Sequence, residues 1–231
     1  MNAALVVYSG GLDSYTLLHK ALKTFDSVHA VTFNYGQKHK KEIDFAASNC
    51  SALGVPHKII NLDLDNILSD SALVGDSAIP KGNYNKDLMK MTVVPNRNMI
   101  MISIAASLAI KEKISYLWYA AHSGDHEIYP DCRPDFINKL KEVLKVCDYH
   151  EIQFEAPFQH LSKANIIAEG QKMNLNYALS WTCYEGKEKP CLKCSACLER
   201  LAAFKKNGLQ DPLIDVCLLY TSPSPRDLST S

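Results

Sequence analysis

The run Ser9-Gly10-Gly11-Leu12-Asp13-Ser14 constrains this chain more than any other feature. It follows an apolar, strand-like segment at 3–8 and leads into a helix-like segment at 14–25. Adjacent glycines let the backbone turn sharply and come close to a ligand. The first turn of the following helix offers unpaired amide hydrogens and a positive dipole end, which suit a phosphate or pyrophosphate. Ser9, Asp13 and Ser14 add hydroxyl and carboxylate groups. The spacing is neither the G-x-x-x-x-G-K-[ST] loop nor the G-x-G-x-x-G fingerprint. A bare Gly-Gly after a strand signals only a tight turn. The whole hexapeptide at a strand-to-helix junction is more specific and implies nucleotide chemistry.

Strand and helix patterns then alternate along the chain. Strand-like segments are expected at 28–34, 58–62, 116–121 and 151–155, and helical ones at 38–53, 97–113, 134–146 and 162–173. This order predicts an α/β fold with an open, mostly parallel sheet and helices on both faces. Ligands in such sheets bind beyond the carboxyl ends of the strands, where the hexapeptide lies. Between 63 and 95 the periodicity weakens, and the segment reads as a long loop with short helical pieces. The chain divides into a nucleotide-binding catalytic part at 1–180, a cysteine-rich part at 181–215 and a tail at 216–231. The tail is rich in Ser, Thr and Pro, reads as disordered, and takes Cys217 with it.

At 231 residues the chain can bury one substantial core. Its 25 basic and 25 acidic residues balance, so no general field draws it to nucleic acid or an anionic membrane. The longest apolar stretch, 99–110, is too short to span a bilayer. No secretory signal is visible, and the chain reads as cytoplasmic. Eight cysteines therefore do not imply a disulfide framework.

Four of them, Cys183, Cys191, Cys194 and Cys197, form C-x7-C-x2-C-x2-C. Four thiolates suit a tetrahedral zinc ion with no open position, hence a structural centre. Two disulfides, an iron–sulfur cluster and a zinc-ribbon nucleic-acid module are the other readings of such a pattern. A helix at 195–206, closed by Gly208, is expected to carry the last ligand.

The hexapeptide resembles the pyrophosphate loop of the ATP pyrophosphatases. Phe33-Asn34-Tyr35-Gly36-Gln37-Lys38-His39, Val94-Pro95-Asn96-Arg97-Asn98, the segment 125–134 and Trp181-Thr182-Cys183-Tyr184 follow it in order. Together they resemble the 7-cyano-7-deazaguanine synthase family from about residue 3 to 215. Leu192 departs from the pattern, because that position in the cysteine knuckle is often glycine in the family.

The resemblance implies an AMP-forming ligase. It would take ATP with Mg²⁺, 7-carboxy-7-deazaguanine and ammonia, bind no nucleic acid directly, and form a homodimer. A tRNA thiolase and a relative that stops at the amide are the rival readings. On the motif positions, Tyr8, Ser9, Gly10, Gly11, Leu12, Asp13 and Ser14 are expected to contact nucleotide, with Tyr35 and Gln37. Asp13 is also the candidate Mg²⁺ contact. Arg97 and Lys163 are candidates for phosphate or carboxylate binding. Asp125, Asp131 and Arg133 are expected to form one substrate or metal cluster. His39, His122 and His126 stand evenly between site and scaffold. Cys132 is a weak nucleophile candidate, since adenylation already supplies activation.

Overall fold

The computed structural model describes residues 2–64, 71, 73, 92–126 and 128–214. Most of the expected loop at 63–95, Glu127, and the tail with Cys217 lie outside the described residues.

Five strands form one sheet: β1 (Ala3–Val7), β2 (Ser27–Asn34), β3 (His57–Asn61), β4 (Tyr116–Trp118) and β5 (Gln153–Glu155). All four pairings are parallel, in the order β3-β2-β1-β4-β5. Val6 of the central strand lies opposite Ala30 on one side and Trp118 on the other. The helices are α1 (Leu12–Thr24), α2 (Lys41–Leu53), α3 (Arg97–Lys111), α4 (Pro134–Lys145), α5 (Lys163–Lys172) and α6 (Ser195–Lys206).

The pleat of β1 sends successive residues to opposite faces. Leu5 and Val7 join a core with Ile102 and Ala105 of α3 and Leu140 of α4. Val6 and Tyr8 join the other, with Leu17 and Leu18 of α1, Ala46 of α2, Ile167 of α5 and Phe204 of α6. Helices therefore cover both faces, as the near-continuous apolar strands require. None of the described helices is long and apolar enough to cross a membrane.

The chain walks outward from β1 to β3, then returns to place β4 on the other side of β1. The carboxyl ends of β1 and β4 thus diverge at a topological switch point, where a crevice opens. β4 is shorter than expected. Tyr119 still donates its N–H to the Glu155 carbonyl at 2.9 Å, but Ala120 and His122 leave the sheet to line that crevice. Helix α2 starts three residues late because residues 35–40 form a turn around Gln37. The Gln37 side chain accepts the Tyr35 N–H at 2.8 Å and donates to the Phe33 carbonyl at 3.1 Å.

Candidate active site

The phosphate loop is shaped by its own side chains. Ser14 Oγ accepts the Ser9 N–H at 3.2 Å, and Ser9 Oγ accepts the Gly11 N–H at 3.1 Å. The two hydroxyls lie 3.0 Å apart, and Ser14 donates to the Gly11 carbonyl at 3.1 Å. Gly11 caps α1 in extended conformation, so the helix begins at Leu12, earlier than the apolar pattern implied. Gly10 adopts φ 86°, and a Cβ there would sit 2.1 Å from the Glu42 carbonyl oxygen. Both facts exclude any other residue. The Gly10 carbonyl accepts the Trp181 N–H at 3.0 Å, which ties the loop to the cysteine-rich segment.

The loop opens onto a cavity of about 230 Å³. One wall holds a chain of charges. Lys163 Nζ lies 2.7 Å from Glu199 Oε2 and 3.4 Å from Asp13 Oδ2. His122 Nε2 lies 3.6 Å from Asp13 Oδ2 and 3.5 Å from Asp125 Oδ2. His122 Nδ1 accepts the Gly124 N–H at 3.1 Å, so in the neutral ring the proton sits on Nε2, facing both carboxyl groups. Burial pulls the Lys163 pKa down, but the carboxylates of Asp13, Glu199 and Asp125 outweigh it and hold the ammonium charged. Burial pushes the Asp125 pKa up. Asp13 Oδ1 is buried without a hydrogen-bond partner among the described residues.

The other wall is formed by Tyr35, Arg97, Asn98, Tyr119 and Cys132, with Glu42 and His39 beside the loop. Arg97 Nη1 donates to the Tyr35 hydroxyl at 3.2 Å, and its guanidinium lies over that ring at 5.6 Å. No carboxylate among the described residues pairs with Arg97; its Nε donates to Asn98 Oδ1 at 3.3 Å, which leaves Nη2 of the fork, among the described residues, for an anionic ligand. Burial drives the Cys132 thiol well above its usual range. Its sulfur accepts from Asn98 Nδ2 at 3.2 Å. A protonated thiol without a base is a poor nucleophile.

The expected residues are not all brought together. Ser9, Gly11, Leu12, Asp13, Ser14, Tyr8, Tyr35, Gln37, Arg97, Asp125 and Lys163 line the cavity. The Tyr8 hydroxyl accepts from Asn49 Nδ2 at 2.7 Å, and both ends of the Gln37 amide are engaged by its own turn. Asp131 and Arg133 do not line the cavity beside Asp125. Asp131 accepts the Asn98 N–H at 3.0 Å and caps the start of α3. Arg133 is exposed and donates to the His126 carbonyl at 2.8 Å. His39 and His122 line the cavity, whereas His126 does not.

Sequence reasoning missed Glu42, Asn98, Thr182 and Glu199 in the wall. Glu199 carried a usable signal. It stands two residues past Cys197 on the same helix, so any site that fixes Cys197 also fixes Glu199.

The four cysteines converge. Their sulfurs all lie within 4.8 Å of one another, and those of Cys191 and Cys197 are 4.0 Å apart. Four thiolates at zinc bond lengths form a tetrahedron with edges of about 3.8 Å, so the set fits a tetrahedral metal ion. The N–H groups of Lys193 and Cys194 point at Cys191 Sγ, at 3.4 and 3.2 Å. Cys194 is the N-cap of α6. Leu192 is held at φ 56°, the left-handed conformation that favours glycine. The Arg200 fork fastens the segment: it bonds Asp211 at 2.6 and 2.8 Å, and also reaches Ser180, Thr182 and the Tyr177 carbonyl.

The family model of queuosine biosynthesis protein QueC matches residues 3–208. A protein of Marinobacter nauticus is 49% identical over 213 residues, covering 92% of this chain and 96% of its own. Another from Alteromonas mediterranea is 50% identical over 210 residues, covering 90% and 96%. A third from a Marinomonas species is 49% identical over 211 residues, covering 91% and 96%. All three are named 7-cyano-7-deazaguanine synthase. The loop, the charged crevice and the four-cysteine centre thus sit in a chain that belongs to the QueC family of queuosine biosynthesis proteins.

Proposed function

We propose that this chain converts 7-carboxy-7-deazaguanine and ammonia to 7-cyano-7-deazaguanine, with one ATP split to AMP and pyrophosphate at each of two adenylations. One observation carries the reading: the phosphate loop, Lys163 and Arg97 face a single cavity in a chain whose half-identical relatives bear that synthase name.

A carboxylate oxygen is a poor leaving group, and AMP is a good one. The substrate carboxylate attacks the α-phosphorus and pyrophosphate leaves. Ammonia then displaces AMP to give the amide. The amide oxygen attacks a second ATP, and loss of AMP leaves the nitrile. Both adenylations use an oxygen in nearly the same place, so one site serves both. The protein's part is positioning and charge stabilisation. The amides at the start of α1 and the hydroxyls of Ser9 and Ser14 would hold the pyrophosphate. Lys163 lies 3.4 Å from Asp13 on the same wall and would meet the same phosphates. Arg97 would hold the substrate carboxylate through its fork.

Asp13, Asp125 and Glu199 place more negative charge on the wall than Lys163 and Arg97 offset. A polyphosphate would meet that surplus unless it arrived with a cation, and the unpartnered Asp13 Oδ1 is a ready oxygen ligand. Mg²⁺ bound with ATP would neutralise phosphate charge there, with Asp13 as its protein contact. A structural zinc ion at Cys183, Cys191, Cys194 and Cys197 fits the sulfur spacing.

The test is mass spectrometry of the products from 7-carboxy-7-deazaguanine, ATP, Mg²⁺ and ammonium. Acid, amide and nitrile differ in mass, so one spectrum separates the synthase from an amide-forming relative. Asp13→Ala should cut AMP release at least about a hundredfold while leaving the melting temperature close to that of the parent. Parent-like turnover by that variant would remove the loop from the mechanism.

A further inference from the structure

Four carboxyl side chains line the cavity: Asp13, Glu42, Asp125 and Glu199. Three of them are held. Glu199 and Asp13 face Lys163, and Asp125 and Asp13 face His122. Glu42 is different. Its nearest cationic candidate is His39 Nε2 at 3.7 Å, too far for a hydrogen bond. Burial pushes the His39 pKa down to about 4, so that ring is neutral near pH 7. Among the described residues, none hydrogen-bonds the Glu42 carboxyl group.

Glu42 also sits where the chemistry must happen. Its carbonyl presses on Gly10, and its Oε1 would be 3.2 Å from a Cβ on Gly11. The charges that reach it come from Asp13 on α1, Arg97 on α3, Lys163 on α5, the Cys183 thiol and its own neighbour His39. It therefore lies against the phosphate loop, in the cavity that Arg97 also lines. On the synthase reading, the carbon whose oxygen is adenylated lies between those two groups.

We infer that Glu42 is the catalytic base that removes the proton from the substrate nitrogen when the nitrile forms. The inference rests on the synthase reading above. In this step the N–H bond of the O-adenylated amide breaks and its proton passes to the Glu42 carboxylate. The freed electron pair becomes the last C–N π bond. The C–O bond to AMP breaks, and AMP departs with the electron pair of that C–O bond. Nothing is oxidised or reduced, and Glu42 returns the proton to solvent. A carboxylate engaged by an ammonium is a weaker base, which sets Asp13 and Glu199 aside. Burial brings the Glu42 pKa up to about 8, so the carboxylate form that accepts the proton predominates above about pH 8.

The experiment supplies the amide with ATP and compares it with the acid in an ammonium buffer alkaline enough for free ammonia to arrive unprotonated. E42Q should still make amide from acid within about tenfold of the parent rate. Its amide-to-nitrile step should fall at least about a hundredfold, so that amide accumulates. Parent-like nitrile formation overturns the inference, and so does equal slowing of both halves, which would assign Glu42 to phosphate handling. Should E42Q fail to fold, E42D decides. It keeps the carboxylate but withdraws it by one methylene, so the nitrile half should slow at least tenfold more than the amide half, and equal slowing overturns the inference. A parent enzyme that makes no nitrile at all would sink the synthase reading instead, so the two failures are distinct.

Discussion

The phosphate loop and the cysteine knuckle solve one geometric problem in two ways. Each must reverse the chain just before a helix, and each does so with a residue at positive φ: Gly10 at 86° before α1 and Leu192 at 56° before α6. At Gly10 the site is also crowded, with the backbone of Glu42 and Ala46 closing in. At Leu192 the side chain is 41% exposed and the strain is one of dihedral angle alone. A four-thiolate centre that bound a metal would have binding energy in reserve and would tolerate a poor turn residue. A loop that bound and released phosphate at every turnover would have no such reserve, and this one uses glycine.

The largest effect expected from this contrast is metal removal. Structural zinc sites carry apparent binding energies of about 10–16 kcal/mol, and much of that reports on local folding. Chelation, or Cys194→Ser, should lower the melting temperature sharply, and elemental analysis of the intact protein should find about one zinc per chain. Iron with visible absorbance would replace zinc by a cluster. The knuckle also touches the site, because Trp181 holds the Gly10 carbonyl and Glu199 rides on α6 to meet Lys163. ATP affinity should therefore fall with the metal. Unchanged affinity would mean that the two regions are mechanically separate.

Gly10→Ala comes next. The new methyl group would overlap the Glu42 carbonyl, so α2 or the loop must shift. Overpacking and the left-handed dihedral together cost about 2–5 kcal/mol. Thermal denaturation should show that loss, and AMP release should drop at least about a hundredfold. A stable, active variant would show that the loop tolerates the side chain that the contrast denies it.

Much of this was legible beforehand, for physical reasons. The strand order follows from alternating patterns plus a phosphate loop at the first junction, because a parallel sheet places that loop at its carboxyl edge. The cysteine spacing reported its own convergence. Local sequence did not reveal which polar residues of 125–134 face inward. Asp131 and Arg133 look as chemical as Asp125, yet one caps α3 and the other lies on the surface. That outcome depends on how α3 and the loop pack, which involves residues distant in sequence. Glu42 was hidden for the same reason. It looks like an ordinary first-turn acid of α2, and only its packing against Gly10 and Gly11 brings it to the cavity.

The placement of Glu42 makes the loop side pH-sensitive through one carboxyl group. Its folded pKa is raised from 4.5 to about 8, mainly by desolvation. The folded state then binds the extra proton. The stabilisation is fully present below about pH 4.5 and is lost as pH rises through about 8. In the ATP-free protein, stability should decline over that window by about 1–3 kcal/mol more than in E42Q, as read from urea denaturation at a series of pH values. Parallel curves for the two proteins would mean that the Glu42 carboxyl is already solvated.

The smallest effect has the opposite sign. Leu192→Gly should relieve about 1–2 kcal/mol of left-handed strain. Greater freedom of glycine in the unfolded chain offsets about 0.4–1 kcal/mol of that. A net gain of about 0.5–1 kcal/mol remains, because the exposed leucine gives up little burial. It should appear as a severalfold tighter hold on zinc in competition with a chelator, with no change in AMP release. If the variant instead binds zinc more weakly, Leu192 is packed against the knuckle rather than strained by it, and the tolerance attributed to the metal would have to be sought in that contact.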